Sequence, residues 1–349
     1  MSHAKSSGAV TEVAPGVWAI RVPMPRHPLR ASFCYVYAQA GRAAVIDPGW
    51  PTPESWAQLE VAFGHIGLEI ESVESILLTH VHRDHSGLAG RLAARSGASV
   101  ALHPADRVLL PQPPERHQAR VQEWLGLVGA MPEAASEAID ALPAPPTPLT
   151  VGRWLRDGEV LAVPGGELIV HWTPGHTPGH VCFEDRNRGL LFSGDHLLPR
   201  ITPNVSSMVG HRTTALADYL QSLERVRALD SREVMPGHEY AFQGAEARAT
   251  GLIAHHRARL HEIVMALGAL PRQSTHDVAQ ALSWSRPWSG ISGLQRRAAL
   301  GEVLSHLYYL EAIGAVVRVA STPTIEWSIR AAGALEEEWR RTGRALAAM

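Results

Sequence analysis

Three imidazoles and a carboxylate stand within six residues: His80, Val81, His82, Arg83, Asp84, His85. The run follows the apolar segment ESILLTH. It precedes SGLAGRLAARSG, which has helical spacing and ends on a glycine stop. No other stretch restricts the fold as much, because a strand must deliver these side chains and a helix must carry the backbone away. His80 and His82 are two apart, so an extended backbone puts both rings on one side. Asp84 and His85 fall at the turn into the helix. Imidazole and carboxylate donors together suit Zn, Fe or Mn. One strand end cannot close a metal site, so the remaining ligands must come from other loops.

Three further segments offer them. TPGHTPGH (173–180) carries His176 and His180, FSGDH (192–196) carries Asp195 and His196, and MPGHE (235–239) carries His238. Each follows an apolar, strand-like run and sits beside glycine, so loops at one edge of a layered sheet would converge. The rest of the pattern agrees. VWAIRVPM, CYVYAQ and AAVIDPG read as strands, 53–66 as a helix, ASVALHP as a strand, 181–194 as a hairpin turning on DRNRG, and 213–229 as a helix. This alternation predicts an α/β layered domain over residues 10–243. Residues 104–150 break the rhythm. They read as a helical insertion between proline-rich hinges, lying over or near the site, or as a surface helix pair with no part in it. From 244 to 330 the pattern is three helices and a β-hairpin, a winged-helix (α+β) arrangement, and 331–349 reads as a C-terminal helix.

On these residues the chain resembles the metallo-β-lactamase superfamily, over roughly residues 10–242. The resemblance implies an αββα sandwich with a dinuclear site at the edge of two sheets. It implies that His80, His82 and His176 bind one divalent ion, that Asp84, His85 and His238 bind the second, and that Asp195 bridges them. Within TPGHTPGH the family ligand matches His176, which leaves His180 behind the ligands or in the pocket wall. Asp47 in VIDPG matches a common family aspartate, expected to orient a ligand histidine. Asp195 fills a slot where several true β-lactamases carry Cys. The pattern TPGHTPGH plus SGDH is more similar to glyoxalase II and its thioesterase-like relatives. His82 argues against the redox branch, which has Glu there. The C-terminal segment resembles the winged-helix domain of a branch that includes bacterial hydrolases and an endoribonuclease.

The chemistry implied is hydrolysis. Two divalent ions about 3.5–4 Å apart bring the pKa of a water between them toward neutrality, and Asp84 and Asp195 position the hydroxide. Zinc is the expected metal, with Fe or Mn as alternatives. A thiolate leaves without acid help, whereas an alkoxide needs a proton. His180, His196 and His211 are surplus imidazoles that could supply one, or could serve the structure alone. The leading reading is hydrolysis of a small thioester or ester, acyl-CoA-like or acyl-glutathione-like, or a lactone. The alternatives are an endoribonuclease acting on single-stranded RNA, and a winged-helix nucleic-acid-binding regulator with an inactive hydrolase domain.

Charge bears on that choice. The formal net charge is −2, Lys5 is the only lysine, and residues 241–349 hold 12 Arg against 9 Asp or Glu. A phosphate-tracking surface carries a larger basic excess, so a small acyl substrate is favoured over nucleic acid. Trp284, Trp288 and Trp327 are read as core or interface residues before base-stacking ones. Cys34 and Cys182 are far apart and read as reduced, buried thiols. No apolar run approaches the ~20 residues of a membrane helix and the first residues do not read as a secretory signal, which predicts no membrane partner and a cytoplasmic protein.

Overall fold

The computed structural model describes residues 9–25, 27–110, 114–130, 149–208, 213–319 and 323–346. His211 lies outside them. Among the described residues the chain divides into two compact units. The first holds residues up to 110, 149–203 and 222–250; the second holds 114–130, 204–208, 213–221 and 251–346.

Two sheets build the first unit. Strands β1 (Val10–Ala14), β2 (Val17–Pro23), β3 (Ala31–Gln39), β4 (Arg42–Ile46), β5 (Val73–Leu77), β6 (Ser99–Leu102) and β7 (Arg153–Trp154) lie side by side in that order. The pairs from β1 to β4 are antiparallel, and those from β4 to β7 are parallel. The second sheet runs β12 (Glu233–Pro236), β11 (Leu190–Gly194), β10 (Val181–Asp185), β9 (Gly166–Trp172), β8 (Val160–Val163), with only β11 and β12 parallel.

The sequence of β3 shows why two cores form. Cys34 and Val36 alternate with Tyr35 and Tyr37, and a strand sends alternate side chains to opposite faces. Cys34 and Val36 join Val45, Ile76 and Leu59 on the face covered by the helices Pro53–His65 and Ala89–Ser96. Tyr35 and Tyr37 enter the core between the sheets with Ile46, Phe183 and Phe192. There Tyr35 and Phe192 meet edge to face at 5.0 Å, and the Tyr37 hydroxyl donates to the buried Asp185 carboxylate at 2.8 Å. Both faces of the central strands are covered, so their sequences are apolar almost throughout. The helix Pro53–His65 starts at Thr52, whose hydroxyl accepts from the Ser55 amide, with Pro53 in the first turn.

The second unit contains the helices Pro114–Val128 and Thr275–Ala281, most of Ala245–Ala269, and Gly293–Ala312, with a small sheet of β13 (Gln273–Ser274), β15 (Glu326–Ile329) and β14 (Val316–Val319). Ser274 and Asp277 form a reciprocal capping box on the second of these helices. Trp327 is fully buried and its indole N–H donates to Thr275 at 3.1 Å, so this ring is core. Trp284 and Trp288 are partly buried, 5.8 Å apart, with Arg259 over one and Arg296 over the other.

Pro104–Leu109 is a 3₁₀ turn in the first unit, and the helix Pro114–Val128 belongs to the second. Its buried residues Val121, Trp124, Leu125 and Val128 make one helical stripe, and Trp124 donates to the Ser207 carbonyl at 2.9 Å. Residues 131–148 lie outside the described ones. A helix follows at Ala334–Leu346. No helix among the described residues is long and apolar enough to cross a membrane.

Candidate metal centre

Parallel strands end at the same edge, and that edge carries the histidines. Asp47 follows β4, Thr79 to His85 follow β5, Asp195 follows β11, and His238 follows β12. The turn 173–180 joins β9 to β10 at the same place, where Val181 N donates to the Thr79 carbonyl at 2.8 Å. The chemistry-bearing loops of both sheets therefore touch one another.

They form two adjoining clusters that could each hold a metal ion: His80, His82 and His176; and Asp84, His85, Asp195 and His238. In the first, His82 Nδ1 lies 3.1 Å from His80 Nε2 and 3.0 Å from His176 Nε2. In the second, Asp84 Oδ2 is 3.0 Å from His238 Nε2 and 3.8 Å from His85 Nε2. Asp195 addresses both. Its Oδ2 is 3.5 Å from His176 Nε2, while its Oδ1 is 3.4 Å from His85 Nε2 and 3.5 Å from His238 Nε2.

The donor atoms suit a cation. His85 Nε2, His238 Nε2 and Asp195 Oδ1 are buried, lie within 3.5 Å of one another through Asp195, and make no hydrogen bond of good geometry, the 3.0 Å approach of Asp84 to His238 included. Buried polar atoms are costly to leave in that state, and a divalent ion would satisfy all three. Seven nitrogen and oxygen donors are what Zn, Fe or Mn sites use. Charge is arranged to match. Burial works against ionised Asp195, but His238 and His85 beside it hold its pKa well below the usual range. Asp84 is lowered in the same way by His85 and His238. His80 is kept neutral by burial and by the neighbouring rings of His85, His82 and His176.

The far sides of the rings are fixed. His85 Nδ1 meets Asp47 Oδ2 at 2.9 Å. Asp47 also accepts from the Thr79 amide at 2.8 Å and the Thr79 hydroxyl at 2.6 Å, and that hydroxyl lies 3.0 Å from His80 Nδ1. Asp47 has φ +52°, a left-handed conformation costing about 1 kcal/mol or more and offset by those bonds. His238 Nδ1 donates to the Ala31 carbonyl at 2.9 Å. His180 is fully buried; its Nδ1 meets Thr173 Oγ1 at 2.9 Å and its Nε2 accepts from the Asp195 amide at 3.1 Å. Both ring nitrogens are thus engaged, Nε2 in pinning the Asp195 loop, and His180 does not line an opening. His196 is also buried, 6.0 Å from His180, and burial lowers its pKa to about 3, so the ring is uncharged at neutral pH and unsuited to act as a general acid.

Gly237 explains the glycine before His238. A Cβ there would come within 2.5 Å of His85 Cε1 and 2.7 Å of Asp195 Oδ1. Gly237→Ala is expected to displace both ligands and cost about 1–3 kcal/mol through overpacking. Thermal unfolding with elemental analysis should show a lower midpoint and fewer bound ions; an unchanged ion count would mean the cluster absorbs the methyl group.

Two groups of residues beside the clusters were missed in the sequence. Asp106 is buried among the ligand loops, accepting from Val81 N, Thr177 Oγ1 and Gly179 N. Burial outweighs these three bonds and lifts its pKa to about 6. The signal was a carboxylate one turn beyond a strand end at the same edge. The others are on the open side. His82 and Asp84 are the two cluster residues that are only partly buried, and Arg83 between them stacks on Trp50 at 5.4 Å. His27 packs on Trp50 at 5.7 Å and feels the charges of Asp84, His238 and Asp195.

Residues 27–238 match the family model described as the metallo-beta-lactamase superfamily, and the chain belongs to that superfamily. Its fold is shared by a metallo-beta-lactamase family protein of Thermus thermophilus, 32% identical with a TM-score of 0.76, covering 91% of this chain and all of the other. A beta-lactamase domain protein of Burkholderia ambifaria is 27% identical with a TM-score of 0.72, covering 92% and 94%. Among curated relatives, an atrochrysone carboxyl ACP thioesterase of Aspergillus fumigatus is 29% identical over 120 residues, 34% of this chain and 35% of that protein. The match thus spans about a third of that thioesterase's length.

Proposed function

We propose that this chain hydrolyses a small thioester or ester with the aid of two divalent ions, zinc foremost. The observation that carries the reading is Asp195, with one oxygen turned to each histidine cluster. The thioesterase name of one relative supports the choice of substrate class. When bound, such ions polarise an acyl carbonyl and make water acidic enough to attack it at neutral pH.

The protein's own residues supply the remainder. His80, His82 and His176 would hold one ion, Asp84, His85 and His238 the other, and Asp195 both. Asp84 and Asp195 are ionised and offer acceptor oxygens that keep the attacking water oriented. Neither cysteine competes as a nucleophile: both are buried, Cys34 with its pKa raised well above the ordinary value and Cys182 pushed up to about 12. His27, Trp50 and Arg83, partly buried beside Asp84, would offer an aromatic face and a cation to an acyl donor. A thiolate departs unaided, so the reaction needs no protonated histidine and none of the buried ones is asked to supply a proton.

The test is elemental analysis of the purified protein alongside turnover of acyl-CoA and acyl-glutathione thioesters and a labelled single-stranded RNA. Two ions per chain with thioester turnover and intact RNA are expected. RNA cleavage without thioester turnover would overturn the reading in favour of the endoribonuclease. One observation favours that alternative: helix, β13, helix, helix, then the β14–β15 hairpin is the order of a winged helix, and we read residues 244–330 as one.

A further inference from the structure

We propose that Asp106 assembles the His80–His82–His176 cluster selectively, as a positioning residue that acts on the backbone of two loops and touches no ion. The inference rests on reading the two clusters as metal sites.

The geometry is one-sided. Asp106 Oδ2 accepts from Val81 N at 3.0 Å and from Thr177 Oγ1 at 2.9 Å, and Oδ1 accepts from Gly179 N at 2.5 Å. Val81 separates His80 from His82, and Thr177 directly follows His176. A single buried carboxylate therefore ties a loop of the seven-stranded sheet to a loop of the five-stranded sheet. Two of the positions it grips, Val81 and Thr177, adjoin the three residues of one cluster, and the third, Gly179, lies in the same turn as His176. The other cluster is held by different bonds: Asp47 on His85, the Ala31 carbonyl on His238, and His180 on the Asp195 amide. None of these is made by Asp106.

The neighbourhood is shaped for this seat. A Cβ on Gly179 would fall 2.5 Å from Asp106 N and 2.8 Å from its Cγ, so the glycine lets the carboxylate reach the loop backbone. The energetic logic is preorganisation. Three imidazoles on two independent loops cannot converge at 3.0–3.1 Å without an ordering cost. Charge-assisted hydrogen bonds to both loops meet that cost before an ion arrives.

The experiment uses the full chain, stripped with chelator and titrated with Zn²⁺ alone by calorimetry, with elemental analysis after dialysis. Wild type is expected to take up two ions. Asp106→Asn and Asp106→Ala should weaken one site by about 10–100-fold, leave the other within about threefold, and bring the content after dialysis toward one ion. Double variants identify the site. Asp106→Ala added to His238→Ala should remove the last tight ion, whereas added to His82→Ala it should not. Thr177→Val removes one of the three bonds and should weaken the same site by a smaller factor. It decides the matter if the Asp106 variants do not fold, and unchanged affinities in it would overturn the assignment. Equal weakening of both sites in the Asp106 variants would overturn it too, while leaving the proposed hydrolase standing. A wild-type chain that takes up no zinc would sink both readings.

Discussion

Asp195→Ala is expected to reduce hydrolysis by three orders of magnitude or more, equivalent to about 4 kcal/mol of transition-state stabilisation, and to lower the ion content below two per chain. Among the described residues, Asp195 alone has one oxygen near His176 and the other near His85 and His238. Alanine removes a ligand from each cluster and the element that sets their spacing. The loop itself should survive, because His180 holds it through the Asp195 backbone amide, which alanine retains. The pair of measurements is turnover of the best acyl thioester and elemental analysis of the same sample. A variant that keeps two ions and wild-type turnover would show that Asp195 does not span the clusters.

The two His/Asp clusters were legible in the sequence because each member sits in a short-range pattern with a physical meaning. His80 and His82 declare themselves by strand spacing, and Asp195 and His238 by glycine after an apolar run. Distinguishing His176 from His180 is different. Spacing alone leaves both open; only the fold shows that His180 stands at the start of β10 with both nitrogens engaged. Asp106 was hidden for another reason. Its partners Val81, Thr177 and Gly179 are 25, 71 and 73 residues away, and no local period reports a bond of that range. The helix Pro114–Val128 shows the same limit in packing. Its stripe of Val121, Trp124, Leu125 and Val128 states which face is buried, but amphipathicity does not say against what, and that helix joins the second unit.

The second unit should lose stability in mild acid, and His306 is the reason. His256 and His306 are fully buried, with His256 Nδ1 at 3.1 Å from His306 Nε2 and His306 Nδ1 at 2.7 Å from the Glu302 carbonyl. A carbonyl only accepts, so His306 Nδ1 carries the proton. His306 Nε2 is then the acceptor and His256 Nδ1 the donor. A proton on His306 Nε2 would face the His256 N–H, and shifting the His256 proton to its other nitrogen would bury that N–H without a partner. Burial accordingly pushes His306 down to about 3. It lowers His256 as well, with His306, His255 and Arg259 adding repulsion. Because the folded pKa lies below the unfolded value of about 6.5, the native state binds fewer protons between about pH 3 and 6.5. Stability is then fully present above that window and falls as pH drops through it. The slope approaches about 1.4 kcal/mol per pH unit for His306 once pH is well below 6.5, so acidification from about pH 6.5 to 4.5 should cost about 2 kcal/mol. Urea unfolding followed by tryptophan fluorescence should show this, because Trp327 is fully buried in the unit. His306→Gln should be less stable than wild type at about pH 7.5, where it forfeits a good hydrogen bond. It should lose less stability on acidification, since it no longer titrates. Parallel pH profiles for the two proteins would mean that the acid sensitivity arises elsewhere in the chain.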